Sequence, residues 1–263
     1  MSDSRPQPEV LTQMIGEHVL LVTLNRPTKR NAINVAAARA LAAAVRLVEF
    51  DDHIRVAVLT GAGAECFCAG ADLEDIAAGR GGQLAVDGNG LGGLVHARRT
   101  KPWIAAVRGM ALGGGLELAM ACDMLVAAAD AMLVLPEVRR GLLAAAGGVY
   151  RAPLALPRAL ALEMLITGAP MSAKRAHAHG MVNYLVPDDE VLACATALAE
   201  TIAANAPLAV RASLAIARAA HHASERELRA QMEAACDQLG ASDDAREGVA
   251  AFVEKRPPHW SGH

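Results

Sequence analysis

The sequence predicts an α/β fold: a parallel sheet built from strand–helix crossover units, then a run of helices. Two observations predict it. Short β-branched or Leu-rich runs alternate with helical segments up to about residue 140, and strands joined through helices pair parallel. After Gly147 the texture becomes helical, with breaks at Pro170, Gly180, Pro187 and Pro207.

The first regular element expected is a buried strand over residues 18–24 (HVLLVTL), ended by Asn25-Arg26-Pro27. Asn34 is an N-cap residue type, and the Ala-rich stretch after it reads as a helix. Residues 55–59 (RVAVL) form a second strand, stopped by Thr60-Gly61-Ala62-Gly63. Residues 104–107 and 124–127 supply a third and a fourth. Helices are expected over residues 188–204, 208–220, 225–239 and 243–254, with a soft domain boundary near 195–206 that divides the chain into 1–195 and 196–263. The Gly-rich segment 79–93 reads as a flexible surface loop or as a mobile pocket wall.

Composition narrows the function. With 53% hydrophobic residues the chain has ample material for a core. A net charge of −3 and 3% aromatic residues argue against a nucleic-acid partner, which needs a basic face or stacking platforms. The five cysteines, Cys66, Cys68, Cys122, Cys194 and Cys236, have neither an even count nor a metal-ligand spacing, so small buried thiols in a reducing, cytoplasmic setting are expected. Residues 1–13 are polar and lack a secretory pattern. The most apolar stretch, 116–135, carries Glu117, Asp123 and Asp130, which argues against a membrane span. His177 and His179 do not share a helix face and are not expected to hold a metal.

Two Gly-containing segments stand where a strand hands over to a helix: Cys68-Ala69-Gly70-Ala71-Asp72-Leu73, and Gly109-Met110-Ala111-Leu112-Gly113-Gly114-Gly115-Leu116-Glu117-Leu118. Backbone amides there can face an anion or a developing oxyanion. Tight turns and close helix packing account for either segment equally well. Neither matches a dinucleotide or P-loop pattern. Glu117 sits among apolar neighbours in a first helical turn, and Glu137 follows Leu133-Val134-Leu135-Pro136. Burial would raise their pKa values and suit them to acid–base work on one water. A helix-dipole Glu and a surface-loop Glu are the plainer readings of each.

At these residues the sequence resembles the crotonase (enoyl-CoA hydratase/isomerase) superfamily. The resemblance runs from Thr23-Leu24-Asn25-Arg26-Pro27 and Asn31-Ala32-Ile33-Asn34 through Phe67-Cys68-Ala69-Gly70-Ala71-Asp72-Leu73 and Lys101-Pro102-Trp103. It continues through Gly113-Gly114-Gly115-Leu116-Glu117-Leu118 and Leu135-Pro136-Glu137 to Ala250-Ala251-Phe252-Val253-Glu254-Lys255-Arg256. It implies a crotonase-like spiral of β-β-α units followed by a C-terminal helical trimerisation region, and a trimer or dimer of trimers. It also implies an acyl-CoA substrate, with no metal or other cofactor and no nucleic-acid or membrane partner, and a hydratase role in fatty acid β-oxidation.

By position, the resemblance makes the N–H groups of Ala71 and Gly114 the oxyanion hole. Glu117 becomes the base for the attacking water and Glu137 the proton donor to the α-carbon. Lys29, Arg30, Ala32, Ala69, Gly70, Asp72, Leu73 and Lys255 would line the CoA path; Leu112, Gly113 and Leu142 would border the acyl group. Having both acids favours hydration over the alternatives on this fold: isomerisation, thioester hydrolysis or non-catalytic acyl-CoA binding. Glu74 departs from the family, standing where Lys is common. So do Arg108, standing where Asn is common, and the loop 141–148 beside Glu137.

Overall fold

The computed structural model describes residues 8–263; the first seven residues of the polar N-terminal stretch lie outside the described residues. Among the described residues, ten strands form two sheets. The larger has six: β1 (Val10–Ile15), β2 (Val19–Leu24), β3 (Val56–Gly61), β5 (Trp103–Val107), β7 (Met124–Ala128) and β10 (Tyr184–Val186), side by side in that order. The smaller has four: β4 (Cys66–Cys68), β6 (Met110–Leu112), β8 (Met132–Val134) and β9 (Met171–Ser172). Among these described strands, β1 on β2 and β9 on β8 pair antiparallel and the others parallel.

The path between the sheets makes the spiral. β3 enters the large sheet and β4 the small one, followed by helix α2 (Leu73–Ala77). β5 and β6 repeat the step before α3 (Gly114–Ala121), and β7 and β8 repeat it again. The crossover expectation thus holds for β2, β3, β5 and β7, but the sequence reading needs three corrections. First, β1 precedes the strand taken as first; it is an edge strand with only Val10 buried, so it carries no apolar run. Second, β3, β5 and β7 are each followed by a second, three-residue strand, too short to show alternation. Third, β3 continues through Thr60 and Gly61, because the parallel ladder to β2 extends to the Leu24–Gly61 pair.

Helix α1 (Val35–Phe50) begins where Asn34 accepts the Ala37 N–H at 2.8 Å, the N-cap bond expected there. Its Ala37, Ala38, Leu41, Ala42, Ala44, Val45 and Val48 are buried. Lys101, fully buried, donates from Nζ to the carbonyls of Val48 and Asp51 at 2.7 Å each, closing the C-terminal end of α1. α4 (Gly148–Ala155), α5 (Arg158–Thr167) and α6 (Ala173–Ala178) follow. His177 is held by the Val182 carbonyl at 2.8 Å.

α7 (Val191–Ala203) packs on β3, β5 and β7 through buried Val191, Ala195, Ala199 and Ala203. The expected division at 195/196 therefore falls inside a core helix, and the chain leaves the core only after Ala203. Of the remaining helices, α8 (Pro207–Ala219) buries only Pro207, α9 (Glu225–Gly240) buries no residue, and α10 (Asp243–Glu254) buries Asp244 and Ala251. Arg218 of α8 is tied to Asp123 at the start of β7 by a bond of 2.7 Å. The stretch 116–135 resolves into α3, β7 and β8, and no single helix among the described residues is long and apolar enough to cross a membrane.

Candidate active site

The two Gly segments meet at the N-terminal end of α3. Gly113 precedes the helix with φ 51° and ψ −124°, a conformation costly for any residue with a side chain. Gly114 is the first residue of α3, so its N–H has no partner within the helix. On the other side, Ile33 donates to the Gly70 carbonyl and accepts from the Asp72 N–H, which leaves the Ala71 N–H outside that bridge. The segments touch: a Cβ on Gly70 would lie 2.8 Å from the Gly114 nitrogen, and one on Gly114 would lie 3.5 Å from the Ala71 nitrogen. Two amides and a helix N-terminus thus share one small space, as an oxyanion hole requires.

Close approach is enforced at the next residue. A Cβ on Gly115 would stand 2.0 Å from the Cys68 carbonyl oxygen, so β4 and α3 can pack only against glycine. Gly115→Ala is expected to destabilise the protein by roughly 3 kcal/mol or more, the range of severe steric substitutions. A urea midpoint unchanged from wild type would contradict this packing.

Glu117, one turn into α3, is 3% exposed. Its Oε1 accepts the Gly148 N–H at 2.7 Å. Burial pushes its carboxyl up to about 7; the neighbouring Glu137 adds to the rise, while the Gly148 and Ala146 N–H groups and the Arg151 charge oppose it. Glu137 opens a short 3₁₀ helix (Glu137–Arg140) after Pro136. Burial raises its carboxyl too. Its Oε1 sits where a Gly113 side chain would begin, 2.8 Å from that Cβ position, and its Oε2 is buried without a hydrogen-bond partner. The structure therefore places the Glu137 carboxyl against Gly113 and the Glu117 carboxyl against Gly148, each raised by burial and the first adding to the rise of the second.

The other expected site residues fall into three groups. Asp72 is buried and committed: it accepts from Arg26 Nη1 at 2.8 Å and caps α2 through the Glu74 N–H at 2.9 Å, so its carboxyl stays below the usual range despite burial. Arg26 also donates to the Ala32 carbonyl at 2.6 Å, fastening the strand-end turn to the Ala69–Asp72 segment. The Ala69 N–H donates to the Arg30 carbonyl, so Arg30 and Ala32 join that turn to the Ala69–Asp72 segment through their backbones. Lys29 is exposed and bound to Glu74 at 2.6 Å, an exposed pair worth at most about 1 kcal/mol and easily exchanged for a phosphate. Leu73 is exposed beside them, and Lys255 closes α10 with φ 53°.

Of the residues expected to border the acyl group, Leu112 ends β6 and Gly113 follows it. Leu142 is 57% exposed. A cavity of about 200 Å³ beside Glu137 is instead walled by Leu135, Leu143, Val149, Leu162 and Leu165, among others. Leu162 and Leu165 carried a signal in their helical i, i+3 spacing, but nothing local tied it to Glu137. The Gly-rich segment 79–93 is tied to the core. Ala85 bridges Leu91, Leu84 and Leu94 are buried, and the Leu91 side chain reaches 2.6 Å from the Cβ position of Gly114.

Comparison with known proteins agrees with this geometry. The family model described as enoyl-CoA hydratase/isomerase matches residues 14–263. The carnitinyl-CoA dehydratase of Salmonella arizonae is 40% identical over 250 residues, covering 93% of this chain and 95% of that protein. The mevalonyl-coenzyme A hydratase sidH of Aspergillus fumigatus is 40% identical over 251 residues, covering 92% and 91%. The crystal structure of enoyl-CoA hydratase EchA1 from Mycobacterium marinum superimposes with a TM-score of 0.93 at 46% identity, covering 98% of this chain and 100% of that one.

Proposed function

We propose that this chain, which belongs to the enoyl-CoA hydratase/isomerase (crotonase) family, adds water to a trans-2-enoyl-CoA to give the 3-hydroxyacyl-CoA. The observation that carries this reading is the pair of acids: Glu117 buried and held by Gly148, and Glu137 with a buried, unpartnered oxygen across Gly113. A protein that only binds acyl-CoA has no use for two carboxyls with raised pKa values in one apolar space.

In this reaction the thioester oxygen lies against the N–H groups of Ala71 and Gly114, which stabilise the negative charge that develops as the double bond is attacked. Water held between the acids gives its oxygen to the β-carbon and its proton to Glu117. The π electrons move to the α-carbon, which takes the proton of Glu137. Two close carboxyls share one proton more readily than both ionise, so the pair supplies one base and one acid near neutral pH. The thioester activates its own α-carbon, and no metal or redox group enters the reaction.

The relatives are named for carnitinyl- and mevalonyl-CoA. Here the aliphatic wall beside Glu137 supports an aliphatic acyl group. The test is hydration of crotonyl-CoA and its longer unbranched homologues, followed by loss of the conjugated-thioester absorbance. Activity only on polar acyl groups would overturn this choice of substrate.

Assembly as a trimer or dimer of trimers belongs to the same proposal. α10 exposes Val249, Phe252 and Val253 at 68%, 86% and 72%, a patch that burial against another copy would remove from water. Lys255 ends that helix, so any reach to the CoA phosphates depends on the assembly. The double variant Phe252→Glu, Val253→Glu is expected to run as a monomer in light scattering where wild type runs as a multiple of three. Unchanged mass would contradict the assignment of this face.

A further inference from the structure

We propose that Arg151 is a positioning residue for the base Glu117, acting as a two-point clamp on the loop that holds the carboxylate. The inference rests on the hydratase reading for its kinetic consequence, but not for its geometry. Glu117 accepts the Gly148 N–H at 2.7 Å, and the Ala146 N–H favours its charged form. The loop that presents them, residues 141–148, is otherwise made of Leu, Ala and Gly. Its own side chains offer no polar group to fix those amides.

Arg151, one turn into α4, supplies the anchor from outside the loop. Its Nη1 donates to the Ala146 carbonyl at 3.0 Å, two residues before the Gly148 N–H that Glu117 accepts. Its Nη2 donates to the Val95 carbonyl, two residues after the Gly-rich segment. The guanidinium packs straight onto the loop backbone: a Cβ on Gly147 would stand 1.9 Å from Nη1. On its other face it lies 5.0 Å from the Tyr150 ring centroid, and the Tyr150 hydroxyl is 3.4 Å from His96 Nδ1. One planar fork therefore joins the cradle of the base to the segment whose Leu91 covers Gly114. Arginine suits this task because its donors are rigid and diverge in one plane; lysine offers a single flexible point.

The clamp also places a positive charge near Glu117. The charged groups facing the carboxyl are Glu137, which raises its pKa, and Arg151, which lowers it. Tyr150 and Cys122 face Arg151 itself. Neutralising Arg151 should therefore move the Glu117 titration to higher pH, and with it the acid limb of the rate profile.

The experiment uses the full chain as wild type, Arg151→Gln and Arg151→Lys. Two readouts are taken: kcat and KM for crotonyl-CoA across pH, and the carboxyl C=O infrared band of Glu117 titrated without substrate, identified by its loss in Glu117→Gln. The Gln variant is expected to lose about tenfold to a hundredfold in kcat with KM within twofold, the scale of a misplaced catalytic group, and to titrate Glu117 at higher pH. The Lys variant is expected to restore the titration midpoint but not kcat. A Gln variant with wild-type midpoint and kcat overturns the proposal. Should the Gln variant not fold, wild-type kcat in the Lys variant overturns the clamp. If no enoyl-CoA is hydrated by wild type, the hydratase reading falls, while the infrared midpoints still decide whether Arg151 positions Glu117.

Discussion

Glu117→Gln is expected to lower kcat for enoyl-CoA hydration by about 10³- to 10⁴-fold, the upper range for removal of a general base, while making the folded protein more stable in mild alkali. Both effects follow from one burial. The amide oxygen of Gln can still accept the Gly148 N–H, so the cradle survives while the base is lost. The folded-state pKa of Glu117 is raised from 4.5 to about 7, so its linkage contribution is fully present below about pH 4.5. It is lost as pH rises through about 7. At about pH 8 the ionised, buried carboxylate costs roughly 3 kcal/mol that Gln does not incur. Denaturant melts at low and high pH, beside kcat, check both halves. A Gln variant that is less stable at about pH 8 would make Glu117 a structural group rather than a strained functional one.

Wild-type hydration should also fall off below about pH 7, because the base must be ionised to accept the water proton. A rate that is flat through that window would separate Glu117 from the chemistry.

The second large effect is at Glu137. Glu137→Gln is expected to reduce kcat by about 10²- to 10⁴-fold while leaving the affinity for a saturated acyl-CoA, such as butyryl-CoA, unchanged by calorimetry. The structure gives the reason for separating the two readouts. The Glu137 Oε2 is buried yet unpartnered, and its Oε1 occupies the space that the missing Gly113 side chain leaves open. The carboxyl is held by its surroundings rather than spent on an ion pair, so its replacement removes a proton source without removing a strut. Activity within tenfold of wild type, with binding intact, would pass the acid role to another group.

The two buried carboxyls and the Gly-rich turns were legible in the sequence because each has a local sign. A Glu inside an apolar run and a Gly cluster at a helix start can be read from a dozen residues. The resemblance then assigned their roles. What remained hidden was non-local. β4, β6 and β8 are three residues each, below the length at which alternation can be seen, and so the spiral was invisible to periodicity. Leu91 was hidden inside a Gly-rich segment whose composition reads as a loop. Arg26 and Arg151 look like ordinary surface arginines in the sequence. Their partners lie at Asp72 and Val95, 46 and 56 residues away. Asp72, expected on the CoA path, is held by that first pair and serves the backbone of the site.

The most direct test of the central claim is incubation of the wild-type protein with crotonyl-CoA in heavy-oxygen water, with the thioester products resolved by mass spectrometry. The expected product is 3-hydroxybutyryl-CoA carrying the label in its new hydroxyl group, with the thioester intact. Free CoA thiol with label in a released carboxylate, or migration of the double bond without label in longer enoyl-CoAs, would contradict it.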